Sequence, residues 1–499
     1  KAAVERKGST SAEPLGSQGE KYLQEDEKKA LWTDRSGKAL NKAIDSIFVS
    51  MRLRARPEWS NNYYDTAPDP LDVPDLANDP TGATSEFTGG PVKRIRAPKT
   101  SVDDEGFQTY FRGFLGVGAK LKENISIYTE FSFSGTWGNV SEPYNVNDDP
   151  TQVQFTSGYV DGVYSKHLRI DTRIGRFYLE YGDEYVLGNT EFAQGSMYYD
   201  GVRLSRNFEQ SGFMVDVFGV KLVDGFKNTS TTYDASVPSF TTRGTSPDDS
   251  IYMFGVFGNY YGLEGQTKVK GGLEPYYLVV WNAAENTGVP NGDTYDIHTV
   301  GAHWYGGKDT VGKTGIEWNI DGNSQYQRAA LRWSGDARIT YNMGTAPLKP
   351  RLFGQAAYAS GDHNDDPFVT NDYSHAYNPL FGDAHGRFGW ADYFTFSNLM
   401  VYGAGLHLAP AENWDVGFEG RAFFAARETS DRATVGPSSG DPGFQEGLNS
   451  KRLAWEGDFV MTHKYSDNVS MEAVFSYLSW RDLPGDNVQR AYIQIAVEF

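Results

Sequence analysis

The chain has 499 residues, carries a net charge of −19 and contains no cysteine. That excludes disulfides, thiolate metal sites and cysteine nucleophiles, and it argues against nucleic acid held in a general basic field. No stretch approaches the roughly 20 apolar residues of a membrane-spanning helix, whereas 31 Tyr, 30 Phe and 55 Gly suit a membrane barrel, with aromatic girdles at its interfaces and glycine where strands kink or approach closely.

In chain order, residues 1–44 are polar and charged, with Leu23, Leu31, Leu40 and Ala43 spaced for a short amphipathic helix. Two readings stand: a flexible periplasmic leader, or a segment that plugs the pore or docks a periplasmic partner. A barrel needs an export signal and none is visible at Lys1, so the numbering is expected to begin after cleavage. From residue 45 to 499, segments of about 10 residues alternate apolar and polar side chains and then break at turn residues, the pattern of transmembrane strands. In Ser50–Arg56, the residues Met51, Leu53 and Ala55 share one face and Arg52, Arg54 and Arg56 the other. A helix would scatter these arginines around its surface.

About 18 such strands are predicted, near 46–57, 106–120, 124–136, 152–164, 167–180, 197–206, 210–222, 250–262, 266–282, 294–306, 312–321, 325–342, 348–361, 396–409, 412–428, 452–464, 467–482 and 487–499. The expected fold is an all-β transmembrane antiparallel barrel. With an even strand number both termini are periplasmic, and alternate connections are long and external. Long connections are expected at about 58–105, 137–151, 181–196, 223–250, 362–394 and 428–451, with tight periplasmic turns at Lys122–Asn124, Tyr164–Lys166, Asn207–Glu209, Pro410–Glu412 and Tyr465–Asp467. Short external turns are expected near Asp321–Gln325 and Asp482–Asp486. A soluble β-sandwich is the rival, but its loops have no reason to alternate in length. The last strand, Arg490–Phe499, turns Ala491, Ile493, Ile495, Val497 and Phe499 to one side. Ending in Phe, it resembles the signal read by the barrel-assembly machinery.

An arginine on the lipid face at mid-bilayer costs about 2–4 kcal/mol, so polar parity marks the inner wall. It selects Arg52, Arg54, Arg112, Glu130, Arg332, Asp336, Arg338, Arg351, Glu419, Arg421 and Arg427 as pore-lining. The acids gather instead in external loops, such as Asp65, Asp69, Asp72, Asp75 and Asp79. One reading is a positive pore that favours anions, its field focused by low-dielectric walls. The other is an array of braces, for example Glu419 with Arg421 and Asp336 with Arg338. The 362–394 loop either folds inward as a constriction or covers the mouth as a lid. Within it, Asp362, Asp365 and Asp366 are weak candidates for Ca²⁺, against a plain solvated turn. No other cofactor is expected. None of the 8 His has the motif-grade partner of a catalytic site, so no enzyme activity is expected.

The segment from Leu168 to Glu184, with Arg173, Gly175, Arg176, Leu179, Tyr181, Gly182 and Asp183, and the returning Asp200-Gly201-Val202-Arg203-Leu204 resemble the alginate export family of outer-membrane porins. The resemblance implies a single barrel with an arginine-lined conduit for an anionic polysaccharide or a small organic solute. It adds Arg173, Arg176 and Arg203 to the pore-lining set, with Asp183 and Asp200 as brace partners. Gly175 and Gly201 would allow close packing beside them. The functional expectation is a passive channel for hydrophilic, anionic or sugar-like solutes in a Gram-negative outer membrane, in contact with lipid and lipopolysaccharide and not with nucleic acid. A general-diffusion porin, or a structural or adhesive barrel, is the alternative.

Overall fold

The computed structural model describes residues 44–61, 106–121, 125–137, 152–163, 169–189, 192, 197–223, 230–234, 239–243, 251–261, 271–282, 296–307, 313–327, 330–361, 377–383, 385–394, 396–427, 452–481 and 487–499. The leader at 1–43 and the calcium candidates Asp362, Asp365 and Asp366 lie outside the described residues. The strands are β1 (Ile44–Asn61), β2 (Gly106–Leu121), β3 (Ile125–Trp137), β4 (Gln152–Val163), β5 (Asp171–Phe177), β6 (Tyr199–Phe208), β7 (Phe213–Val223), β8 (Ser230–Asp234), β9 (Ser239–Arg243), β10 (Ile251–Tyr260) and β11 (Gly271–Asn282). They continue as β12 (Ile297–Gly306), β13 (Thr314–Gln327), β14 (Ala330–Met343), β15 (Arg351–Ala359), β16 (Leu399–Leu408), β17 (Trp414–Ala425), β18 (Arg452–Lys464), β19 (Val469–Trp480) and β20 (Val488–Glu498).

Eighteen of these strands form one antiparallel sheet closed by β1, which pairs with both β2 and β20. The seam runs to the last residue: Phe499 N–H donates to Met51 O at 2.8 Å, and Met51 N–H donates back at 3.1 Å. Closure is obligatory in hydrocarbon, where an open edge would leave backbone groups without partners. β8 and β9 pair only with each other, as a hairpin inside the connection expected at 223–250.

The two-residue period has turned the usual pattern of a globule inside out. In β14, Leu331, Trp333, Ile339 and Tyr341 are exposed, while Arg332, Ser334 and Asp336 are buried. In β20, Ile493 and Ile495 are exposed and Arg490 is buried. A soluble sandwich would show the reverse. An exposed belt of this extent requires lipid.

Two sequence expectations need correction. Asp321–Gln325 is not a turn: β13 runs on to Gln327. Asp-Gly-Asn-Ser-Gln reads as a turn by residue type, but on a lumen wall polar side chains alternate with small ones. Asp321, Asn323 and Gln325 are accordingly buried. The turn expected at Asn207–Glu209 lies a little later, at the 3₁₀ turn Glu209–Ser211, which Gly212 closes in the left-handed conformation at φ 61°.

Gly175 sits in β5 with φ 134°, and a Cβ there would lie 2.2 Å from Gly158 O on β4. At Gly201 a Cβ would lie 2.2 Å from Gly219 O. Both positions exclude a side chain because neighbouring backbones touch. Gly175→Ala is expected to destabilise the barrel by about 1–3 kcal/mol, read as a lower temperature for loss of the compact, heat-modifiable band on a denaturing gel. An unchanged transition would show that β4 and β5 have room to separate.

Candidate functional site

Among the described residues, two connections leave the wall and enter the cylinder. The first follows β5, with residues 178–189, 192, 197 and 198 described. The second precedes β16 and covers 377–383, 385–394 and 396–398. The 362–394 loop therefore folds inward over its described part. The two segments are joined by backbone bonds: Gly188 N–H to Phe381 O at 2.9 Å, Phe381 N–H to Val186 O at 3.2 Å and Asp383 N–H to Glu184 O at 2.9 Å. Gln325, fully buried, holds both the N–H and the C=O of Asn378.

Around these bonds lies an apolar core inside the barrel. Leu179, Leu187, Tyr377, Phe381 and Phe396 from the segments pack against inward residues Met253, Leu278, Leu399 and Phe423 of the wall. Burial of each such side chain stabilises by about 1.5–3 kcal/mol. The expectation of a polar inner face therefore fails on this part of the wall. There the inward positions face protein, not water, and apolar residues fill them.

Charged groups pin the segments elsewhere. Arg387, on the second segment, reaches Asp183 of the first at 2.7 Å, Asp336 of β14 at 3.2 Å and Asp321 of β13 at 3.6 Å. Burial raises the pKa of Asp183, but the Arg387 guanidinium, the neighbouring His303 and hydrogen bonds with Arg387 and Asp321 together hold it down at about 2. Arg490 of β20 binds Glu58 at 2.8 Å and Asp392 at 2.8 Å, and Asp392 in turn binds His385 Nδ1 at 2.6 Å. Trp390 Nε1 donates to Glu419 at 3.1 Å, and Ala391 N–H to Glu456 at 3.1 Å.

Below the segments lies a cavity of about 650 Å³. Its wall includes Arg52, Arg54, Arg112, Arg338 and Arg387, and also Asp183, Glu184, Asp336, Asp383, Glu472 and Glu498, with Phe114, Phe192, His385 and Trp390. Arg54 stands directly across from Arg112 on adjacent strands. These residues come from β1–β2 and β19–β20 on one side and from β13–β15 across the lumen.

Of the residues selected from sequence, Arg52, Arg54, Arg112, Asp336 and Arg338 meet at this cavity. Glu130 is buried in the wall and accepts from Arg52, Tyr128, Tyr178 and Thr156. Arg332 is buried in β14. Arg351 pairs with Asp415, and Arg421 with Glu419 at 2.6 Å and Asp458 at 2.9 Å. Arg173 pairs with Asp161 at 2.7 Å and Arg203 with Asp216 at 3.3 Å, both on the inward parity. Asp336 is paired with Arg387 and not with Arg338, which instead approaches Glu419 at 3.8 Å.

One placement is overturned. Arg176 shares its side of β5 with the exposed Ile174 and faces outward, where it forms a bidentate pair with Asp200 at 2.6 Å. The pairing of opposite charges makes an outward arginine tolerable, and strand parity overrides the motif. Arg427 lies beyond the end of β17, its N–H bound to Asn398. Three basic residues were not selected. Arg56 and Arg490 carried a legible signal in their polar parity. Arg387 carried none, because its position is set by contacts across the lumen.

Asp183, His303 and Asp321 bring their ligand atoms within 4.8 Å of one another. His303 is already bound through Nδ1 to Glu274 at 2.7 Å and through Nε2 to Asn319 at 2.8 Å, and Arg387 lies against both carboxylates. The donor set fits an ion-pair cluster better than a metal site, which needs a free imidazole nitrogen.

The closed barrel, its exposed apolar belt and its internal cavity define an outer-membrane channel of the porin class. Solved structures agree on the fold. Pseudomonas aeruginosa OccK8 (OprE) superposes with a TM-score of 0.52 at 9% identity, covering 92% of this chain and 99% of that one. Pseudomonas aeruginosa OccK11 (OpdR) gives 0.51 at 9% identity, covering 92% and 97%. No curated relative matches the sequence. Residues 138–493 match the alginate export family, and the chain belongs to it.

Arg387→Met would leave Asp183, Asp321 and Asp336 without their shared cation. Removing one partner of a buried pair costs about 3–5 kcal/mol, so the variant is expected to lower the midpoint of barrel unfolding and to raise single-channel conductance in planar bilayers. Wild-type values for both would show that the apolar core alone holds the segments.

Proposed function

We propose that the chain is a passive channel for small hydrophilic solutes, anionic or sugar-like, and not an enzyme. The observation that carries this is the cavity, where Arg52, Arg54 and Arg112 line one wall and Arg338 the other. Guanidinium groups in a low-dielectric wall attract and pair with carboxylates and phosphates. Phe114 and Trp390 add apolar faces on which a sugar ring can rest. The two inward segments favour a small solute over a polysaccharide strand, since a polymer needs a continuous open bore. The exposed apolar belt supports contact with lipid and lipopolysaccharide.

A second reading, general diffusion without marked selectivity, is favoured by the balance of charge: five arginines and six carboxylates line the same cavity. Reversal potentials across a potassium chloride gradient separate the two. The anion reading expects chloride to be preferred, and expects Arg54→Gln with Arg112→Gln to lower the anion-to-cation permeability ratio on the order of twofold. Cation preference in the wild-type protein would overturn it.

A further inference from the structure

We propose that Phe192 sets the size selectivity of this channel, a reading that rests on passive transport through the cavity. Phe192 belongs to the first inward segment and reaches the β18–β1 wall, where it packs with Trp390 against Val460, Val474 and Tyr492. Its carbonyl accepts from Arg56 at 2.9 Å. Its ring lies 3.7 Å from the Arg56 guanidinium carbon and stacks on His385 at 3.3 Å and 8°. His385 is on the second segment. One side chain thus spans from the wall to both segments and at the same time lines the cavity.

The nature of these contacts separates Phe192 from the rest of the constriction. Tyr181, Leu187 and Phe381 are held by backbone bonds and by the apolar core, so truncating them would disturb the fold. The Phe192 ring is half-buried and is held by the Arg56 cation–π contact and the His385 stack as well as by packing on Val460, Val474 and Tyr492. The first two are face contacts that water or a passing solute can replace. The ring closes the space between the second segment and the arginine-bearing wall, and removing it leaves the bonds that pin both segments in place. Small ions pass equally in either case, whereas solutes as wide as a sugar acid pass more slowly while the ring is in place.

The chain has no cysteine, so Phe192→Cys introduces a unique thiol. Bi-ionic reversal potentials with chloride on one side and gluconate on the other measure the permeability ratio. The variant is expected to raise the gluconate-to-chloride ratio at least about threefold, as expected for a widened constriction. Benzyl methanethiosulfonate then attaches a benzylthio group through a disulfide, releasing methanesulfinate. This replaces the ring and is expected to return the ratio toward the wild-type value. Equal ratios in wild-type and variant, with normal currents in both, would overturn the assignment while leaving the channel reading intact. A wild-type barrel that carries no current would sink the channel reading and Phe192 with it. Should Phe192→Cys fail to give the heat-modifiable band, Phe192→Leu keeps the bulk and loses the flat face. A smaller rise in its ratio supports the proposal, and no rise overturns it.

Discussion

Hydrogen-bond closure is the constraint on which the rest of this molecule depends. In hydrocarbon every backbone N–H and C=O must find a protein partner, and a sheet meets that demand only by pairing its first strand with its last. Here the seam joins β1 to β20, with Leu53 opposite Val497 and Trp59 opposite Ala491. Once the cylinder is shut, side-chain alternation has one outer and one inner side, and a slip of one residue would move every arginine of β1 into lipid. The strictness of the pattern follows from that penalty.

The inner side then has to be filled, and two kinds of chemistry fill it. Where the connections after β5 and β15 fold inward, apolar wall residues meet apolar segment residues in a dry core. Elsewhere arginines and carboxylates face each other, and most of these pairs bind wall to segment or strand to strand. Such pairs fix geometry more than they add stability, since desolvation offsets much of their attraction. Arg387 illustrates this: one guanidinium joins two strands and both segments at a single point. The channel is therefore narrowed by a built structure, with its bonds distributed over many residues.

The same chemistry leaves the cavity with charge of both signs. Its arginines come largely from β1 and β2, while several of its carboxylates come from the inward segments. Guanidinium and carboxylate groups therefore face the same space. Similarity to the Pseudomonas barrels at 9% identity extends to the fold, so the lumen of this chain has to be understood from its own residues.

The period-two pattern alone determined the barrel, its strand number, its lipid face and the inward parity of Arg52, Arg54, Arg112 and Arg338, because alternation is a local property enforced by lipid at every step. It was misleading where a local rule was ambiguous, as at Asp321–Gln325, where lumen polarity imitates a turn, or where a motif competed with parity, as at Arg176. Only the tertiary structure decided that the 362–394 loop enters the lumen, that Arg387 gathers three carboxylates, and that Phe192 lies between Arg56 and His385. Those contacts join residues up to some hundreds of positions apart across a cylinder, and no periodicity along the chain encodes which residues meet in its middle.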